Sequence, residues 1–89
     1  MIIIMTVTGV DHPGIVAAVS GRLAELDINI LNISQTLVDD YFTMILQCEL
    51  DNKKLTLEQV QYELISVADK DKLDIRVQSA EIFHAMHEL

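Results

Sequence analysis

Asp11 and His12 stand side by side in the segment Asp11-His12-Pro13-Gly14, a carboxylate next to an imidazole, the natural pair for moving a proton. No Ser, Thr or Lys nucleophile accompanies them, so the pair alone does not make a nucleophilic catalyst. A second group lies near the end of the chain. Glu81 and His84 are spaced i,i+3, His84 and Glu88 i,i+4, and His87 joins them, spacings that put two ligands for a divalent cation on one helical face. A third fixed ligand is missing, and a solvated face opposite Ile82, Phe83 and Met86 explains the same residues, so no metal site is expected. Cys48 alternates with Met44, Leu46 and Leu50 on the apolar side of a strand, where a thiol is buried filler with a raised pKa. These residue types lead to a non-enzymatic reading with no cofactor.

The elements that position these residues follow from the apolar periodicity. Ile2 to Thr8 is β-branched and ends at Gly9, which predicts a strand with Ile3, Met5 and Val7 on one face and Ile2, Ile4, Thr6 and Thr8 on the other. Asp11 is expected as a capping acid and Pro13 as the opening residue of a helix over 13–26, with Ile15, Val19, Leu23 and Leu26 inward. Asp27 and Asn29 punctuate its end. A half-buried strand over 30–38, with Leu31, Ile33 and Leu37 on one face, turns at Asp39-Asp40 into a strand carrying Phe42, Met44, Leu46, Cys48 and Leu50. Thr56 and Gln59 form a capping box, Leu55 and Val60 a hydrophobic staple, and Leu57, Val60, Leu64 and Val67 or Ala68 the stripe of a second helix. The run Asp69 to Lys72, like Asp39-Asp40, is expected as a solvated turn. Leu73, Ile75 and Val77 then mark a fourth strand, and residues 80–89 return to helical spacing.

Chain length and charge bound the rest. With 89 residues, 51% of them hydrophobic, there is material for one core, and folding buries only roughly 60–65% of the unfolded surface at this size. Association with a second copy is a natural way to bury more. Fourteen acids against six bases give a net charge of −8, which opposes binding to nucleic acid or to anionic lipid. The longest apolar run, Met1 to Met5, is far short of the roughly 20 residues of a membrane-spanning helix. A lone cysteine forms no internal disulfide. A soluble cytoplasmic protein is expected, with neither nucleic-acid nor membrane partners.

The order strand, helix, strand, strand, helix, strand, plus a short terminal helix, predicts an α+β, ferredoxin-like βαββαβ sandwich: a four-stranded antiparallel sheet with two helices on one face. The opposite face collects Thr6, Thr8, Asn32, Ser34, Thr36, Thr43, Gln47, Arg76 and Gln78. Ile4 and Ile45 are apolar exceptions on it, expected to pack together or under a partner.

The segment Gly9-Val10-Asp11-His12-Pro13-Gly14-Ile15-Val16-Ala17-Ala18-Val19 resembles the loop and first helix of ACT domains, and Leu23-Ala24-Glu25-Leu26-Asp27-Ile28-Asn29-Ile30 resembles their helix exit. The resemblance covers residues 1–79 as the domain, with 80–89 as a helical extension, and is similar to the small stand-alone ACT proteins, including relatives of the glycine-cleavage-system repressor. It implies a regulatory module that forms a homodimer and binds an amino acid or similar metabolite, changing contacts with a partner enzyme or transcriptional regulator. The implied ligand residues are Asp11, His12, Gly14, Ile15 and Asn29, with Asp11 on the ligand ammonium, Asn29 on its polar groups, and the N–H groups of Gly14, Ile15 and Val16 on its carboxylate. A ligand-free dimerisation module is the alternative. In that case Asp11 only caps, Gly14 only relieves crowding and Asn29 only closes the helix exit.

Overall fold

The computed structural model of the chain describes residues 1–87, with side chains through residue 85. In chain order the elements are β1 (Ile2–Val10), α1 (Ile15–Glu25), β2 (Asn29–Val38), β3 (Tyr41–Glu49), α2 (Leu57–Asp71), β4 (Asp74–Ser79) and α3 (Ala80–His87). The strands form one antiparallel sheet in the order β2-β3-β1-β4. This is the ferredoxin-like architecture.

One sheet face makes the core. Ile3, Met5 and Val7 of β1, Met44, Leu46 and Cys48 of β3 and Val77 of β4 are buried against Ile15, Val19 and Leu23 of α1 and Val60 and Leu64 of α2. These are the alternating strand positions and the i, i+4 helix positions that periodicity selects. The capping box at α2 forms as expected: Gln59 N–H donates to Thr56 Oγ1 (3.2 Å) and Thr56 N–H to Gln59 Oε1 (2.7 Å). Arg22 ties the helices together, with Nε donating to the Glu63 carbonyl at 3.3 Å and its guanidinium also on the Glu63 carboxylate.

Three elements differ from expectation, two in their bounds and one in its burial. β1 does not stop at Gly9 but runs on to Val10. A Cβ at Gly9 would lie 2.9 Å from Leu73 Cδ2 and 3.3 Å from the Lys72 carbonyl oxygen, so the glycine is there for a close approach within the strand. α1 starts two residues later than expected, because Gly14 adopts φ 91°, ψ 0°, outside the right-handed helical region. Gly14 is therefore the N-cap and no side chain caps the helix, so Asp11 is not the capping residue. β2 is not half-buried. Every residue from Leu31 to Val38 is exposed. A bulge between Ile30 and Asn32 takes Leu31 out of the alternation. Ile33 and Leu37 pair with the buried Leu46 and Phe42, yet they lie on the sheet's outermost strand.

The segment Ile2 to Met5, part of the longest apolar run, lies on an interior strand between β3 and β4. The edges are β2 and β4.

Candidate ligand site at the entrance of the first helix

The loop from β1 to α1 is held at three points. The Asp11 N–H donates to the Asp40 carbonyl in the β2–β3 turn at 2.8 Å. His12 Nδ1 lies 3.1 Å from the Pro13 carbonyl oxygen and His12 Nε2 lies 2.9 Å from the Asp71 carbonyl oxygen at the end of α2. Ile15, 2% exposed, anchors the first helical turn in the core. Between these pins Gly14 turns the backbone, and a Cβ there would meet nothing within 4 Å. Space above the glycine is open, the first turn carries no acidic residue, and the leading amides of α1 have no side-chain cap. A helix entrance of this kind presents N–H donors and the positive end of the helix dipole to whatever approaches.

His12 is not paired with Asp11 as an acid/base dyad. Both ring nitrogens face carbonyl oxygens, which only accept, and a neutral imidazole has one N–H to give. The Asp71 carbonyl first, then that of Pro13, hold the His12 pKa above its ordinary 6.5, with the Asp71 and Asp11 charges acting in the same direction. The Asp11 carboxylate is exposed beside this loop.

Asp11, His12, Gly14 and Ile15 are thus brought together at one end of the sheet. Asn29 is not with them. It pairs with Glu49 at the end of β3 where β1 begins, whereas Val10 and Val38 both pair with Tyr41 at the other end. At the strand rise per residue the two ends, Tyr41 and Glu49 of β3, are about 26 Å apart.

Sequence reading missed the far wall of the loop. Lys70, Asp71 and Lys72 join Val10, Asp11 and His12 around a cleft of about 470 Å³. Lys72 adopts φ 56° as the C-cap of α2. The charged run has the composition of a solvated turn, and only antiparallel packing of β4 on β1 carries the end of α2 to the end of β1. Nothing local in the sequence signals that meeting.

The other chemistry-bearing groups stay apart. Burial pushes the Cys48 thiol up to about 11, as its strand position implies. On α3, Glu81 and His84 are exposed. Glu88 and the His87 side chain lie outside the described residues, and among those described no three His, Cys, Asp or Glu are grouped for a metal. No helix of the described residues is long and apolar enough to cross a membrane.

Comparison with known proteins bears on the fold and the family. A UPF0237 protein of Corynebacterium efficiens is 51% identical over 89 residues, all of both chains. An ACT domain protein from Streptococcus pneumoniae superposes with a TM-score of 0.82 at 43% identity, over 93% of each chain. A putative glycine cleavage system transcriptional repressor shares the fold at a TM-score of 0.76 and 18% identity, over 86% of this chain and 44% of its own. The ACT domain family itself matches residues 1–78, from the start of the chain into β4. With that span of sequence matched and the fold shared with an ACT domain protein at 43% identity, the chain belongs to the ACT domain family.

Proposed function

We propose that the chain is a dimeric regulatory module that binds an amino acid at the entrance of α1 and alters its contacts with a partner enzyme or transcriptional regulator. The observation that carries this reading is the uncapped α1 entrance: Gly14 at φ 91° opens free space over unpaired helix amides, with the Asp11 carboxylate beside it. A carboxylate suits the amides and an ammonium suits Asp11.

The dimer completes the site. On β4 the Val77 carbonyl already accepts a hydrogen bond from Gln61 Nε2 at 2.9 Å, so that edge is partly occupied. β2 is ten residues long, has no charged residue, and exposes Leu31, Ile33, Leu37 and Val38. On a chain of net charge −8, this uncharged apolar edge is where a second copy meets least repulsion. Antiparallel pairing of two β2 strands about a two-fold axis sets Val38 of one copy beside Asn29 of the other. Asn29 of the partner subunit then stands at the end of the sheet that carries the α1 entrance, which gives the residue the role the single chain denies it. Residues 80–89 are an extension outside this unit.

A thermal-shift screen against the twenty amino acids tests the reading. A ligand at 100 times its dissociation constant adds about 2.7 kcal/mol of stability. At least one amino acid is expected to stabilise the protein, and its carboxamide derivative to do so less. A flat response to all twenty supports the alternative, a ligand-free dimerisation module.

A further inference from the structure

The sheet face opposite α1 and α2 carries its own cavity. Strand register sets the side chains of this face in rows: Asn32, Gln47, Ile4 and Gln78 in one, Ser34, Ile45, Thr6 and Arg76 in the next. α3 folds back against β1 and β4. Ile4, which strand alternation places on the side away from the core, is only 6% exposed. Beside it lies a cavity of about 210 Å³ lined by Ile4, Asn32, Ser34, Ile45, Gln47 and His84. At ~30 Å³ per water this is the room of roughly seven waters, enough for one small ring system.

The lining decides the chemistry. Among the described residues it contains no acid and no Lys or Arg, its titratable group is the His84 imidazole, and Arg76 with Asp74 at 3.4 Å lies on β4 outside the cavity. An anion finds no fixed cation here and is repelled by the chain's net charge, while an ammonium finds no carboxylate. Apart from His84, what the cavity offers is polar but uncharged. Asn32 and Gln47 are direct cross-strand partners, and the side chains of Asn32, Gln47 and Ser34 make no hydrogen bond to protein among the described residues. Each carboxamide presents an acceptor oxygen beside an NH2 donor, and its complement is an N–H beside a C=O. Ile4 and Ile45 supply an apolar floor for a ring face.

We infer that this cavity is a second ligand site, for a small uncharged lactam heterocycle of the nucleobase type, with its N–H/C=O edge on Asn32 and Gln47 and its ring on Ile4 and Ile45. The site is on the opposite side of the sheet from the α1 entrance and does not depend on the amino-acid reading.

Isoleucine-methyl NMR of the full chain tests it, with uracil as the probe. Uracil is expected to shift the Ile4 and Ile45 methyl signals saturably and to leave Ile15 unmoved. Two analogues are expected to bind at least tenfold more weakly: 1,3-dimethyluracil, which lacks the N–H donors, and orotate, which adds a negative charge. Gln47→Leu is expected to weaken uracil at least tenfold. Should that variant fail to fold, Asn32→Leu on the exposed edge strand makes the same test. Four results overturn the proposal: no saturable shift at Ile4, equal binding of the dimethyl analogue, undiminished binding in the folded variants, or Ile4 and Ile45 shifts that follow protein concentration and so mark a contact between copies. Amino acids that bind at the α1 entrance leave Ile4 and Ile45 in place, so failure of one site is distinguishable from failure of the other.

Discussion

Asp11 contributes its main chain to the fold, through the 2.8 Å bond to the Asp40 carbonyl, and leaves its carboxylate exposed. Since Gly14 rather than Asp11 caps α1, Asp11→Asn is expected to change stability by less than about 0.5 kcal/mol. It should weaken an ammonium-bearing ligand by about 1 kcal/mol through loss of the charge. Urea unfolding beside a binding titration checks both. His12 behaves oppositely, because its folded pKa is raised above 6.5 by carbonyl contacts that favour the charged ring. Its contribution is complete at pH below the unfolded value of 6.5 and disappears as pH rises through the higher folded value. The stability difference between the native chain and His12→Ala is therefore expected to be largest in mild acid and to shrink toward alkaline pH; a difference that grows with pH contradicts the clamp. Gly14 shows why a substitution chosen from sequence alone misleads. A Gly14→Val meant only to fill the ligand space also strains the backbone, because φ 91° disfavours any other side chain although the space is open.

At the scale of elements, the order, type and inward faces were legible because each is written in local periodicity. Met44, Leu46 and Cys48 alternate, Val60 and Leu64 recur at i, i+4, and all five are buried. The capping box was legible because it is a four-residue code. Thr56→Ala is expected to cost about 1 kcal/mol of unfolding free energy by removing the acceptor of the Gln59 N–H. Features that depend on long-range neighbours were not legible. Strand order decides that Ile2 to Met5 is interior and that Ile33 and Leu37 stand on an edge, and alternation is the same in both settings. The entrance of α1 was half legible: the motif located the loop, whereas the meeting with Lys70, Asp71 and Lys72 and the distance to Asn29 arise only from packing.

The whole molecule is a slab of 38 × 35 × 19 Å with helices α1 and α2 on one face and one long uncharged edge. Two copies joined at β2 bring together chains of −8 each, so salt screens a repulsion. The dimer is expected to tighten as ionic strength rises, and Leu37→Lys, which replaces an apolar side chain of the paired edge with a charge that pairing would desolvate, is expected to give a folded monomer by sedimentation velocity. Calorimetric titration with the stabilising amino acid, run on the native chain and on the Leu37→Lys monomer, joins dimer and ligand in one measurement. The expected result is saturable binding at one ligand per chain in the native dimer and at least tenfold weaker binding in the monomer, which lacks Asn29 of the partner subunit. Undiminished affinity in the monomer, or no binding heat from any of the twenty amino acids with an intact dimer, contradicts a ligand site completed across paired β2 edges.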